Sequence, residues 1–208
     1  MMDFIGKIGA FNVRMLLPKD IPAAQQEHIV RQLNDISTDA FNKYTPLDET
    51  RERTMGVDRI YLIEKGTDVL GYATNHRMKL AGENVNYFSS ALFTRALQGK
   101  RIYKQLNKLR LQHLPSDIIM TRTQNPIVVH AFRKLCEETG RDCFPNGKLD
   151  QHALHIAHAY ADCSDEMICK GVYGRQLMDN TPAPGREERA LFSTLDIEQG
   201  DAVILIGK

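Results

Sequence analysis

The chain has 208 residues, of which 42% are apolar and 25% charged, so it can bury a hydrophobic core without crosslinks or a metal. Its 27 lysine and arginine residues balance 26 aspartate and glutamate residues, which argues against a nucleic-acid or membrane partner. No long apolar run opens the chain and the four cysteines form no CxxC pair, so we expect a cytoplasmic protein with reduced thiols.

The first predicted elements are a strand and a helix. Residues 11–17 read as a strand, and the segment that starts at Asp20 and contains a proline predicts the start of a helix, because Asp caps free amides. Ile29, Leu33 and Ile36 give that helix one apolar stripe. The polar, aperiodic residues 38–57 that follow indicate a loop or a short helical cover.

Three strands come next, over residues 59–64, 68–75 and about 85–94. A short Lys-Gly-Thr connection makes the first two an antiparallel hairpin, and a turn at Ala81 and Gly82 precedes the third.

Helical and strand patterns then alternate. Apolar spacing predicts an amphipathic helix over residues 100–113, a strand over 117–123 and a second helix from Asn125 to near Gly140. We expect the second helix to bury Ile127, Val128, Ala131, Phe132 and Leu135.

The C-terminal part is less regular. Residues 150–161 fit a helix or a strand, residues 181–185 form a loop, and residues 202–206 predict a last buried strand of the main sheet. The whole order predicts an α/β fold, a mixed sheet flanked by helices, in one domain over residues 1–208. Its core covers about residues 11–144, and an extension over about 145–208 packs on that core.

The segment over residues 91–110 carries the clearest chemical signal. A strand ends there and an amphipathic helix begins, so free backbone amides and the positive end of a helix dipole point at one place. Lys100 and Arg101 add positive charge, and together these features favour a phosphate or pyrophosphate. Many strand-to-helix turns share this geometry with basic residues that are merely solvated, so the segment alone identifies no ligand.

Over about residues 11–144 the order of elements resembles the GNAT superfamily of acyl-coenzyme A-dependent N-acyltransferases. In that family a turn of pattern Gln/Arg-x-x-Gly-x-Gly/Ala holds the coenzyme A pyrophosphate on backbone amides, and a later helix begins near an Asn. The sequence QGKRIY at residues 98–103 and Asn125 stand at these positions. The resemblance implies acetyl-CoA or another acyl-CoA as donor, no metal, and donor contacts from Leu92, Phe93, Thr94, Gln98, Gly99, Lys100, Arg101, Ile102, Tyr103, Asn125 and Phe132.

The sequence departs from the family pattern at three positions. Arg101 and Tyr103 stand where the family has small residues, although only the amides of the turn need to face the phosphate. Phe132 stands where many members carry a Tyr that protonates the departing thiolate, so we expect Phe132 to act through packing.

No general base stands out. His76, Glu83 and Tyr87 are the candidates we retain, with Tyr72 and His130 also within the set, and an ordinary polar role is the commoner outcome for any one of them.

A second cluster contains His152, His155 and His158, with Cys163 and Cys169 downstream. Neither a helix nor a strand gathers the three imidazoles on one metal, so we interpret them as surface or packing residues. Cys136 and Cys143 read as small buried apolar residues rather than a redox pair.

We therefore expect an enzyme that moves an acetyl or short acyl group from an acyl-CoA to an amine, by direct attack on the thioester. Two alternatives stay open: a long-chain N-acyl amino acid or acyl-homoserine-lactone synthase, and a non-catalytic CoA-binding sensor. Near-neutral charge favours a small-molecule amine over a protein acceptor, and a homodimer is left open.

Overall fold

The structure is a computed structural model, and it describes residues 2–179 and 181–208. Its internal contacts form two compact units. Unit 1 comprises residues 1–77 and 88–115, and unit 2 comprises residues 78–87 and 116–208. The prediction of a single domain stays a prediction.

Unit 1 is a sheet with helices on both faces. Its strands follow the order β1-β2-β3-β4-β5, with antiparallel pairing between β1 and β2, β2 and β3, and β3 and β4. The elements are β1 (Met2–Ile8), β2 (Phe11–Leu16), α1 (Ala23–Phe41), α2 (Leu47–Met55), β3 (Arg59–Lys65), β4 (Asp68–Leu80), β5 (Glu83–Phe93) and α3 (Ile102–His113). Strands β4 and β5 contribute residues to both units.

The alternation of β3 explains why unit 1 needs helices on both faces. Ile60 and Leu62 pack with Leu33 and Ile36 of α1. Tyr61 and Ile63, on the other face of the strand, pack in a cluster with residues of α3. Successive side chains of a strand point to opposite faces, so a strand this apolar is covered on both sides.

Unit 2 is built around a buried strand at the end of the chain. Strand β9 pairs antiparallel with β6, β7 and β8, while β6 pairs parallel with β5 through Val85–Ile118, Asn86–Ile119 and Tyr87–Met120. The elements are β6 (Ile118–Thr123), α4 (Pro126–Glu138), β7 (Cys143–Phe144), α5 (Gln151–Tyr160), β8 (Ile168–Cys169), α6 (Arg189–Phe192) and β9 (Ala202–Gly207).

Helices α4 and α5 lie on opposite faces of the sheet in unit 2. Ile118 and Met120 belong to the same core cluster as the buried residues of α5. On the other face Cys136 of α4 lies over Gly207, where a Cβ would meet its Sγ at 2.5 Å and the Cγ1 of Ile119 at 2.9 Å. The α/β fold with a mixed sheet flanked by helices is confirmed, and no helix among the described residues is long and apolar enough to cross a membrane.

Some local predictions need correction, and two that left alternatives open, for residues 38–57 and 150–161, are decided by the structure in favour of a helix. Strand β1 was not predicted, and α1 begins after Pro22 with no side-chain cap, so Asp20 does not cap it. Part of the region over residues 38–57 is helix α2. On α4, Phe132 and Leu135 are buried as predicted, and Val129 and Cys136 are buried with them. Ile127 is instead 56% exposed, and Val128 and Ala131 are only half-buried. The ambiguous segment over residues 150–161 is helix α5, capped by Asp150.

Candidate functional site

The connection from β5 to α3 has the backbone form of an anion-binding turn. We call residues 94–103, which are this connection and the first two residues of α3, the basic turn. A short 3-10 segment, Arg95–Leu97, leads to Gly99 at φ +77° and Arg101 at φ +58°, and α3 begins at the next residue. Glycine adopts the left-handed conformation without strain. The space around Gly99 is open, since no atom lies within 4 Å of a Cβ built there. Successive amides in such conformations form a concave donor surface.

Hydrogen bonds to other elements of unit 1 hold the basic turn in place. The Thr94 amide donates to the Leu70 carbonyl at 2.9 Å, and the Gln98 side chain donates to the carbonyls of Ala40 and Phe93 at 3.3 and 3.4 Å. Arg95 donates from its amide and its Nε to Asp39 at 2.7 and 3.0 Å, and these contacts hold the pKa of Asp39 below its usual value. The turn is therefore positioned before any ligand arrives.

The amides at the start of α3 remain available to a ligand. No side chain caps this helix and no acidic residue lies in its first turn. Lys100, Arg101 and Lys104 are exposed around it. Free amides, the helix dipole and this local positive charge all favour an anion, in a chain whose net charge is only +1.

The two bulky residues that depart from the family pattern do not fill the turn. The Tyr103 ring packs edge-on against Phe93, with ring centroids 6.3 Å apart, and burial raises the pKa of its phenol. The Arg101 side chain is exposed. The left-handed backbone of this non-glycine residue costs about 1–2 kcal/mol, which marks the turn as a place where conformation is imposed by its surroundings.

The remaining predicted donor contacts have defined roles in the structure. Leu92 packs at the edge of the α1 cluster, Ile102 is buried in the α3 cluster, and the Thr94 hydroxyl is buried with no hydrogen-bond partner among the described residues. In unit 2 the Asn125 side chain accepts from the Ile127 amide at 2.9 Å and so caps α4, and the Phe132 ring is fully buried.

Helix α3 carries, in its last turn, a buried cation that the sequence did not predict. The Arg110 guanidinium donates to Asn75 Oδ1, Asn107 Oδ1 and the Thr74 carbonyl at 2.7, 3.0 and 2.6 Å, and it lies 4.3 Å from the centre of the Phe88 ring. Burial lowers the pKa of Arg110 to about 10, so the side chain stays charged at neutral pH.

The base candidates are in different chemical states. His76 Nδ1 lies 3.4 Å from Asp58 Oδ2, and Glu83 Oε1 lies 3.2 Å from His152 Nε2. Burial raises the pKa of Tyr72, which hydrogen-bonds to Ser37, and raises that of Tyr87 well above its usual value. Both phenols are therefore protonated at neutral pH and accept no proton there.

His130, the last base candidate, forms a contact with a buried carboxylate. Its Nδ1 lies 3.2 Å from Oε1 of the buried Glu188, and with Glu187 these residues place three potential ligand atoms within 4.8 Å of one another.

His152, His155 and His158 are exposed on α5. Cys136 is buried and Cys143 half-buried; a hydrogen bond between the two thiols, together with burial, raises the pKa of Cys136.

No protein-family model matches the chain, and no curated protein matches it. Solved structures do match. A GNAT family acetyltransferase from Elizabethkingia anophelis, with acetyl-CoA bound, is 13% identical with a TM-score of 0.49, covering 96% of this chain and 98% of that one. A protein from Pyrococcus horikoshii that is described as an acetyltransferase is 14% identical, with a TM-score of 0.49. The match covers 62% of this chain and 44% of that one, so this chain spans less than half the length of that protein.

A GNAT family acetyltransferase from Streptococcus pneumoniae is 12% identical with a TM-score of 0.46, covering 60% of this chain and 85% of that one. The strand order and the parallel β5–β6 pair between antiparallel neighbours agree with the resemblance drawn from the sequence. The solved structures that the chain resembles are thus described as acetyltransferases, at identities of 12–14% and TM-scores below 0.5.

Proposed function

We propose that the chain transfers an acetyl or short acyl group from an acyl-CoA to an amine on a small molecule. The observation that carries the proposal is the basic turn, whose uncapped amides and exposed cations would hold the pyrophosphate. The contact of the Tyr103 ring with Phe93 supports it, because it gives this bulky side chain a packing partner.

The reaction needs little from side chains. The amine nitrogen loses a proton and attacks the thioester carbonyl; a C–N bond forms, the C–S bond breaks, and the sulfur leaves as a thiolate. A thiol pKa of about 8.5 makes the thiolate an adequate leaving group. The step can therefore proceed although position 132 holds a phenylalanine, which has no hydroxyl to donate a proton. The chain would supply binding and orientation, which can account for a large part of the rate of such a transfer.

A base for the amine is the next requirement. Of the three candidates retained from the sequence, His76 and Glu83 remain, because both are partly exposed whereas burial keeps Tyr87 protonated. We propose that one of them takes the proton, directly or through water. His76→Gln and Glu83→Gln should separate the two, since only loss of the base lowers kcat with acetyl-CoA affinity unchanged.

Donor binding can be tested by calorimetry and thermal shift. Acetyl-CoA should raise the melting temperature of the wild-type chain, because a ligand that binds only the folded state stabilises it. Lys100→Glu should weaken binding at least tenfold, whereas Lys65→Glu, an exposed control in the β3–β4 turn, should not. Absence of both heat and thermal shift with saturating acetyl-CoA would overturn the proposal.

Catalysis is tested separately by release of free thiol with a panel of amines. Thiol release with acetyl-CoA supports the short-chain enzyme, and release only with long-chain acyl-CoA supports the long-chain synthase. Binding of acetyl-CoA with no thiol release from any amine would identify a CoA-binding sensor instead.

A further inference from the structure

Unit 2 contains a cation surrounded by aromatic rings that none of the roles above uses. The Cζ of Arg122, on β6, lies 5.3 Å from the centre of the Tyr160 ring and 5.0 Å from that of Tyr173. The Tyr87 ring, on β5, packs against Tyr160 with centroids 5.0 Å apart. These four residues come from β5, β6, the end of α5 and the segment after β8, and we call them the Arg122 cluster.

The partners of this guanidinium are all neutral. Its Nε donates to the Tyr173 hydroxyl at 3.4 Å, that hydroxyl donates back to the Arg122 carbonyl at 3.4 Å, and the Cys169 thiol is a further hydrogen-bond partner. No carboxylate among the described residues pairs with it. A guanidinium has five N–H donors and favours planar, bidentate acceptors, so this cation lacks the partner for which its geometry is suited.

The cluster is accessible and lies where ligands bind in sheets of this kind. Arg122, Tyr160 and Tyr173 are half-buried rather than sealed in the core. Arg122 is near the carboxyl end of β6, a strand that runs parallel to β5. Ligands of open α/β sheets bind outside the carboxyl ends of parallel strands.

We propose that the Arg122 cluster binds the carboxylate of a small molecule, and amino acids are the class that we test. The guanidinium would hold the two carboxylate oxygens side by side, and the phenols would donate to them or line the site. Tyr87 is buried and its hydroxyl bonds to that of Tyr160, so it supports the Tyr160 ring, while the half-buried Tyr160 and Tyr173 lie beside the guanidinium.

The experiment compares matched ligands and matched variants. The ligands are amino acids, their primary amides and their decarboxylated amines, each titrated in calorimetry, and each also offered with acetyl-CoA in the thiol-release assay as a separate test of the proposed function. We expect the wild-type chain to prefer an amino acid over its amide by tenfold or more in affinity. Arg122→Gln should remove that preference and leave acetyl-CoA affinity unchanged.

Two further variants make the result decisive. Arg122→Lys keeps the charge without the bidentate geometry and should retain only part of the preference, whereas Arg186→Gln, an exposed arginine of the same unit, should retain all of it. If Arg122→Gln fails to fold by circular dichroism, the Arg122→Lys variant and the wild-type preference decide.

Equal affinity for acids and amides, or an unchanged preference in Arg122→Gln, would overturn the carboxylate site while leaving acyl transfer in place. A preference for phosphate- or sulfonate-bearing amines over carboxylates would also overturn the assignment. If no amine releases thiol, the proposed function fails; the calorimetric comparison of acid and amide still decides whether Arg122 binds carboxylates.

Discussion

Replacement of Arg110 by methionine tests whether a buried cation stabilises unit 1 through its hydrogen bonds. The variant leaves three acceptors without their donor: the side chains of Asn75 and Asn107 and the carbonyl of Thr74, all in residues with 0% exposure. A buried acceptor left unpaired costs about 1–3 kcal/mol. The Thr74 carbonyl keeps a hydrogen bond from the Ser89 hydroxyl at 3.3 Å, so its loss is smaller. Two of the three are amide side chains that can turn toward other partners, and loss of a buried charge returns part of its desolvation cost.

We therefore expect Arg110→Met to lower the free energy of unfolding by about 3 kcal/mol, which corresponds to about 6–12 °C in Tm for a chain of this size. The chain has no tryptophan, so unfolding in urea is followed by circular dichroism or tyrosine fluorescence. The midpoint should fall with an unchanged slope.

The matched control is Gln105→Met, an exposed position on the same helix, which should change the free energy of unfolding by less than about 0.5 kcal/mol. If Arg110→Met is as stable as the wild-type chain, the three hydrogen bonds give no net stabilisation and the reasoning is refuted.

Three other substitutions give separate expectations. Phe132→Ala should lower the free energy of unfolding by about 3–5 kcal/mol because the ring is fully buried, and Phe132→Leu should reduce acetyl-CoA affinity more than kcat; loss of kcat alone would indicate a chemical role. Burial opposes ionisation of Asp201, but a 2.6 Å contact with Lys170 Nζ and two backbone amides lower its pKa below the usual value. This stabilisation is present above the unfolded-state pKa and is lost as pH falls through the lower folded-state pKa. The stability difference between the wild-type chain and Asp201→Asn, measured in urea, should therefore shrink below about pH 4, and a constant difference would argue against it. Gly71→Ala should lower both Tm and acetyl-CoA affinity, since its Cβ would lie 3.0 Å from the Leu92 carbonyl; a variant with normal melting and binding would show that the strands adjust freely.

The elements with strong local patterns could be predicted from the sequence. Strand β3 is apolar on both faces, the β4–β5 turn contains Gly82, and Asn125 with a following proline marks the start of α4. The basic turn was found in the same way, because Gly99 and the start of an amphipathic helix are local signals. Strand β1 was missed because most of its side chains face solvent and supply no apolar alternation.

Arg110 and Arg122 could not be predicted, for a different reason. In the sequence Arg110 is one of several cations on an amphipathic helix, and Arg122 is a polar residue near the end of a strand. Their environments are made by residues distant along the chain, such as Asn75 for the first and Tyr160 and Tyr173 for the second. A single arginine followed by a distant tyrosine is too common a pattern to signal either contact.

Strand β9 has a consequence for the order in which the chain folds. In unit 1, β1 with β2 and β3 with β4 form hairpins from adjacent segments, so little loop entropy is lost when they close. In unit 2, β6 pairs with β9, and three helices (α4, α5 and α6) and two short strands (β7 and β8) lie between them along the chain. Pairings between distant segments form slowly, so we expect the docking of β9 to limit the folding rate of unit 2. Until then the edge of β6 stays unpaired, and aggregation during refolding should begin there.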